Sequence, residues 1–180
     1  PGATRPGLLA RQPARDYRSS RLAKARPMRS LELKIPPLAI VLIVAALMWL
    51  ASTFAPALHL AIPFRSVFAL ALVGLGLASA GAGIVAFRRA RTTVNPTRPE
   101  SSSSVVASGI YRFSRNPMYL GMLSVLTGWA VFLSHSLPFL LLPLFVLYMT
   151  RFQIVPEERA LSAHFGDEYS NYMQSVRRWL

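Results

Sequence analysis

From Asn116 to Thr150 the chain runs without a single Asp, Glu, Lys or Arg. At 1.5 Å per helical residue this run is too long for one crossing of a hydrocarbon core of roughly 30 Å, which takes about 20 residues. The stretch SHSLP, from Ser134 to Pro138, interrupts it, so the run predicts a helical hairpin. Each arm is slightly short for a full crossing. The second arm is therefore expected to continue past Arg151, whose long side chain can reach back to the polar boundary. Lipid cannot satisfy free backbone groups, so the spans must be helices or strands of a closed barrel. The alternating ten-residue strands of a barrel do not occur in this sequence.

Two further runs read the same way. Ile35 to about Ala57 opens at Pro36-Pro37, and Ser66 to Phe87 ends abruptly at Arg88-Arg89. The expected fold is an all-α integral membrane protein with about four transmembrane helices, near 35–57, 66–87, 117–134 and 137–155. The last two form the hairpin. Only 15% of the 180 residues are charged, which leaves little for a solvated surface and room for one domain, 35–180. There are no cysteines, so disulfides, thiolate nucleophiles and thiolate metal sites are excluded.

The net charge of +13 invites a nucleic-acid reading, but its placement argues otherwise. Residues 1–34 hold nine Lys/Arg against Asp16 and Glu32, and the loop from Arg88 to Arg115 holds six Arg against Glu100. Aromatics are not interleaved with these basic residues as stacking platforms for bases would require. Basic residues beside apolar spans mark the cytoplasmic side and favour anionic lipid headgroups. The loop at 58–65 has only Arg65, and the hairpin tip has no formal charge. Four spans with both termini in the cytoplasm fit this distribution. The arm 1–34, rich in Arg, Pro and Ser, is expected to be disordered, with a targeting peptide or an over-extended start as alternatives.

The tail, 156–180, changes character. Leu161, Phe165, Tyr169, Tyr172, Val176 and Trp179 recur at three- and four-residue spacing, which predicts a helix with one apolar face. Such a helix lies on the membrane surface or closes over the cytoplasmic ends of the spans, and Gly166 is a candidate interruption.

Several constellations have plain structural explanations. Gly81-Ala-Gly83-Ile-Val-Ala86 looks like a dinucleotide fingerprint but lies inside an apolar helix, without the strand that motif needs. Gly74, Ala78 and Ala82 make a small-xxx-small face for close helix packing, within the chain or across a dimer. His59, His135 and His164 show no metal-ligand spacing, and no metal site is expected. No serine has a nucleophile-elbow context, and Ser101 to Ser104 reads as a polar linker.

Two places read differently. Asn116-Pro117 combines a preferred N-cap with a preferred first helical residue, so the third span should start there with its free N–H groups open to an anion. Tyr111, Arg115 and Tyr119 would share a face if helical geometry extended back through this point. Glu157-Glu158 follow Pro156, where acidic side chains suit the first turn of a tail helix. The hairpin brings these carboxylates to the same membrane face as Asn116. A helix N-terminus, arginines, aromatics and two carboxylates at one boundary cleft could hold a zwitterionic, ring-bearing cofactor.

SSVVASGIYRFSRNPMYLG, followed after the hairpin by RFQIVPEERALSAHFGDEYSNYMQSVRRW, resembles the isoprenylcysteine carboxyl methyltransferase family. Bacterial members of that family and the related phospholipid N-methyltransferases use S-adenosylmethionine. The resemblance covers roughly 92–180 and includes TTVNPTRPE ahead of the first block. It implies a cofactor pocket lined by Ser103, Ser104, Val105 and Val106, by Tyr111, and by Arg115, Asn116, Pro117, Met118 and Tyr119. The family's paired glutamates match Glu157, as the cofactor contact, and Glu158, as a candidate proton acceptor. Arg151 is the nearest match to the arginine that handles substrate. Asn116 stands where many relatives have His, and it cannot serve as an imidazolium acid.

The resemblance implies methyl transfer from S-adenosylmethionine to a lipophilic acceptor entering from the bilayer, in a bacterial inner membrane. Acceleration would come from positioning the nucleophile and excluding water. Two alternatives stand beside it. A sterol-reductase-type membrane enzyme carries a similar Arg-His-Pro-x-Tyr block but uses NADPH and many more spans. A non-enzymatic membrane protein could retain the fold.

Overall fold

The computed structural model describes residues 32–54, 56–91 and 102–180. The basic arm up to residue 31, residue 55 and the stretch 92–101 lie outside the described residues. In chain order the helices are α1 (Pro37–Phe54), α2 (Arg65–Arg89), α3 (Pro117–Leu133), α4 (Ser136–Met149), α5 (Val155–Phe165) and α6 (Asp167–Ser175). Short 3-10 turns occupy Pro56–Leu58 and Gly109–Arg112, and a π-helical segment, Thr150–Ile154, joins α4 to α5. No strand occurs among the described residues; a single antiparallel bridge links His59 to His135.

The helices are apolar outward as well as inward. Leu42, Trp49 and Phe54 on α1, Phe68, Leu70 and Leu77 on α2, and Leu140 and Leu147 on α4 are all exposed. A water-soluble bundle would put polar residues there; a membrane protein puts hydrocarbon. The helices Pro37–Phe54, Arg65–Arg89 and Ser136–Phe165 are long and apolar enough to cross, and Pro117–Leu133 is a shorter apolar helix. The interior between α1, α3 and α4 is filled by Ile40, Met48, Leu126, Phe145 and Met149. The indole of Trp129 ties α3 to α1 by donating to the Ala45 carbonyl at 3.1 Å.

The hairpin turns where its sequence breaks. Ser134 ends α3 with a left-handed φ of 51°, and buried His135 caps α4 by accepting from the Leu137 N–H at 3.2 Å. The Ser134 carbonyl accepts from the Leu60 N–H at 2.7 Å, fastening the loop after α1 to the hairpin tip.

The seam between α2 and α3 fixes the register of everything at the basic end. A Cβ on Gly76 would fall 2.5 Å from the Gly121 carbonyl oxygen, and one on Gly121 would fall 2.5 Å from that of Gly76. Gly128 faces the Ala69 carbonyl in the same way, and Gly83 faces the Met118 side chain. Ser79 donates to the Pro117 carbonyl and Ser124 to the Leu72 carbonyl, both at 2.7 Å. The small-residue face expected at Gly74, Ala78 and Ala82 is instead exposed, and a Cβ on Gly74 would touch nothing. Two residues along an α-helix are about 200° of rotation, so the packed face, Ala69–Gly76–Gly83, lies opposite the expected one.

The fourth span continues past Arg151, as its short apolar arm required. It does not end before Pro156: helical structure is unbroken from Ser136 to Phe165 through the π segment. Glu157 and Glu158 therefore occupy a continuing helix and not a free N-terminus. Pro156 has no N–H for the carbonyl four residues back, Phe152 O, and the Leu33 N–H donates to that oxygen at 3.1 Å. Gly166, at φ 58°, ψ −124°, does interrupt the tail and separates α5 from α6.

Candidate active site

Segments far apart in sequence meet at the end of the bundle where α2 and the π segment terminate their spans. Phe87 stands in the last turn of α2, and from Ser102 the chain bends at Ser103 and Ser104 on its way to the 3-10 turn Gly109–Arg112. That turn presents Tyr111 inward, and its ring meets the edge of Phe87 at 5.4 Å between centroids. Gly109 enters the turn at φ 61°, a conformation that glycine adopts without a Cβ penalty. The apolar face of the tail closes over this cluster: Leu161, Phe165, Tyr169, Tyr172 and Val176 pack against Ala86, Val106 and Tyr111. The tail thus covers the ends of the spans. Tyr172 Oη donates to the Tyr111 carbonyl at 2.8 Å, locking the cover to the turn.

Under this cover lies a half-open cavity. Its walls are Phe87, Ser102, Ser104, Val105, Val106 and Tyr111 on one side and Arg115, Asn116, Met118 and Tyr119 on another. Ile154, Glu157, Glu158 and Leu161 complete it below, with Tyr169 and Tyr172 from the tail. Burial holds the phenols of Tyr111, Tyr169 and Tyr172 above the usual tyrosine range; nearby Glu157 adds to this at Tyr111, and Glu158 at Tyr169. These phenols stay protonated.

The two glutamates differ sharply. Glu158 is clamped by arginines: Arg178 donates Nε to Oε1 at 3.1 Å and Nη2 to Oε2 at 2.7 Å, and Arg115 Nη2 lies 3.3 Å from Oε1. The hydrogen bonds from Arg178 to Glu158 hold that guanidinium's proton more firmly than usual. Glu157 accepts only from Tyr119 Oη, at 3.1 Å, and no ion pair reaches it among the described residues. Arg115 is itself nine-tenths buried, and its Nε has no hydrogen-bond partner among the described residues. One cavity thus carries a carboxylate without a cation and a guanidinium with an unused donor.

An extended strap after α6 finishes the wall. The Arg115 N–H donates to the Arg177 carbonyl at 3.0 Å, and Trp179 Nε1 donates to Thr150 Oγ1 at 3.1 Å. Asn116 stands just before Pro117, the first residue of α3, yet its side chain makes no capping bond. Its Nδ2 donates instead to the Arg178 carbonyl at 2.9 Å, so this Asn latches the strap.

Of the residues singled out from sequence, Ser104, Val105, Val106, Tyr111, Arg115, Asn116, Met118, Tyr119, Glu157 and Glu158 line the cavity. Tyr111, Arg115 and Tyr119 converge there from a 3-10 turn, a loop and α3, not from one helical face. Ser103, Pro117 and Arg151 are not on its wall. The Ser103 hydroxyl reaches the Arg91 carbonyl at 3.4 Å, the Pro117 carbonyl accepts from Ser79, and Arg151 pairs with Glu32 at 3.2 Å. The wall residues that sequence reasoning missed are Phe87, Ser102, Ile154, Leu161, Tyr169 and Tyr172. The periodic apolar face of the tail already carried Leu161, Tyr169 and Tyr172. Arg178 was equally findable, because two carboxylates in a chain poor in acids need cations.

Apolar helices with a half-enclosed cavity at one end, lined by aromatic and charged side chains, have the character of a membrane protein. The comparison with known families makes the class specific. Residues 64–168 match the phospholipid methyltransferase family, and the chain belongs to that family of membrane methyltransferases. It is also 48% identical over 63 residues to an uncharacterized protein of Haemophilus influenzae, a stretch that is 35% of this chain and the whole of that protein. No solved structure matches the chain.

Proposed function

We propose that the chain uses S-adenosylmethionine to methylate a lipophilic acceptor that reaches the cavity from the bilayer. The observation that carries this reading is that one cavity is lined both by Glu157, which has no cation, and by buried Arg115, whose Nε is unused. These two groups fit the ammonium and carboxylate of the cofactor's amino-acid end, and a buried donor without a partner is costly unless a ligand supplies one. Phe87, Tyr111, Tyr169 and Tyr172 fit the flat base. When bound, S-adenosylmethionine supplies an electrophilic methyl group on a sulfonium.

The chain's own residues then bind, orient and exclude water. Tyr119 fixes the Glu157 carboxylate through its hydroxyl. Arg178 and Arg115 occupy both oxygens of Glu158, so this carboxylate organises charge at the cavity wall. An acceptor that arrives already anionic, such as a carboxylate, needs no base from the chain. The tail lies over the cavity and shields it from water. The basic flanks, including exposed Arg88 and Arg89, favour a cytoplasmic site against anionic headgroups, with both termini on that side of a bacterial inner membrane.

Calorimetric titration of the full chain in lipid nanodiscs with S-adenosylhomocysteine, and in parallel with NADPH, tests the cofactor. Binding of the homocysteine product and silence with NADPH are expected. A folded chain that binds NADPH and ignores S-adenosylhomocysteine would sink the proposal in favour of a reductase.

A further inference from the structure

The carboxylate of Glu32 is 2% exposed, although it stands in a turn just before α1 and does not line the cavity. It accepts from Arg151 Nη1 at 3.2 Å through Oε1 and from Arg159 Nη1 at 3.3 Å through Oε2. Two more bonds join the same segments. The Leu33 N–H donates to the Phe152 carbonyl at 3.1 Å, and Gln153 Nε2 donates to the Ile35 carbonyl at 2.7 Å. Leu33 takes a left-handed φ of 57°, which a branched side chain adopts only where its surroundings hold it.

Of the partners of Glu32, Arg151 stands at the start of the π segment and Arg159 beyond its end. Eight residues of unbroken α-helix turn through about 800°, which would leave Arg151 and Arg159 about 80° apart around the axis. A π turn inserts one residue and removes about 100° of that rotation, which brings the two arginines to within about 20°. The π bond is present: the Val155 N–H donates to the Thr150 carbonyl. The turn thus aligns both arginines toward one carboxylate. The residues between them include Ile154, Glu157 and Glu158, which line the cavity. Removing the π turn would rotate those glutamates by about 100° relative to the span below.

We infer that Glu32 is a positioning residue for the cofactor site: its double ion pair holds the π turn that aims Glu157 into the cavity. Glu32 itself lies outside both the cavity lining and the family-matched region, which begins at residue 64, and reaches that region through Arg151 and Arg159. The inference assigns Arg151 to this clamp. It rests on the reading of the cavity as a cofactor site.

The test combines two measurements on the full chain in nanodiscs. Because the chain has no cysteine, Leu144→Cys and Ala163→Cys, both at exposed positions, place spin labels on either side of the π turn. Pulsed distance measurement should give one narrow distribution in the otherwise native chain and a broadened or shifted one with Glu32→Gln. S-adenosylhomocysteine affinity should fall about tenfold in Glu32→Gln and recover in part with Glu32→Asp. It should also fall in Glu157→Gln, and no further in the double variant, because both changes act through one carboxylate. Should Glu32→Gln fail to fold, Arg159→Gln, which alters a half-exposed partner, takes its place in the same cycle. Losses that multiply in the double variant, or a distance distribution that the clamp variant leaves unchanged, overturn the inference. An unmodified chain that binds no S-adenosylhomocysteine overturns the cofactor reading instead, and the distance measurement then decides the clamp alone.

Discussion

The α2–α3 seam and the covered cavity lie end to end, and they are held together by opposite means. The seam is made by leaving atoms out: Gly76, Gly121 and Gly128 let backbone carbonyls of the opposite helix approach to where a side chain would stand. Its few hydroxyls are spent on carbonyls across the gap. The cavity is made by adding partners from elsewhere, with Arg178 from the tail and Tyr119 from α3 each fixing a glutamate on α5. A seam of this kind sets register and tolerates no added volume. A site of this kind can lose one group and remain folded.

Four substitutions probe that contrast, in falling order of effect. Gly121→Val places a Cβ against the Gly76 carbonyl, an overpacking that should cost about 3 kcal/mol or more and abolish recovery of folded protein, read by size-exclusion profile and thermal melt. Glu157→Gln should leave the melt nearly unchanged while weakening S-adenosylhomocysteine binding by about 1.5–3 kcal/mol, the range for a hydrogen bond to a charged group, read by calorimetry. Tyr172→Phe removes the donor to the Tyr111 carbonyl and should cost about 1 kcal/mol, seen as a lowered Tm. Ser79→Ala, inside the seam, should cost only about 0.6 kcal/mol, because hydrogen bonds between membrane helices contribute modestly. The contrast breaks if Gly121→Val folds normally, or if Glu157→Gln unfolds the chain.

The contrast also has a pH signature. Burial raises the phenol pKa of Tyr111, Tyr169 and Tyr172 in the folded chain. The stability tied to these neutral phenols is fully present below the unfolded tyrosine value of 10.0 and is lost as pH rises through the higher folded values. Alkaline titration should therefore melt the tail cover before the seam, followed by hydrogen exchange of α6 against α3. Simultaneous loss of protection in both would contradict the separation.

What could be read in advance divides along the same line. The spans, the hairpin at Ser134 and the apolar tail face follow from hydropathy, periodicity and turn residues, which act locally. Both sequence blocks and most of the cavity wall were legible because residue types with unusual chemistry, Tyr111, Arg115, Tyr119 and Glu157, cluster where an apolar run begins or ends. The packed face of α2 was missed because small residues occur on both sides of that helix, and only its partner decides which side packs. The π turn was missed for a related reason. Pro156 reads as a helix start, and nothing local reveals that the Leu33 N–H meets the carbonyl that Pro156 leaves without its usual donor. The ion pair of Arg151 with Glu32 was not legible either, because the two lie over a hundred positions apart.

Methyl transfer itself is the most direct test. Membranes carrying the chain, incubated with methyl-labelled S-adenosylmethionine and extracted into organic solvent, should yield labelled lipophilic product, and membranes carrying Glu157→Gln should yield almost none. A folded native chain that binds S-adenosylhomocysteine yet leaves all label in the aqueous phase would contradict the account.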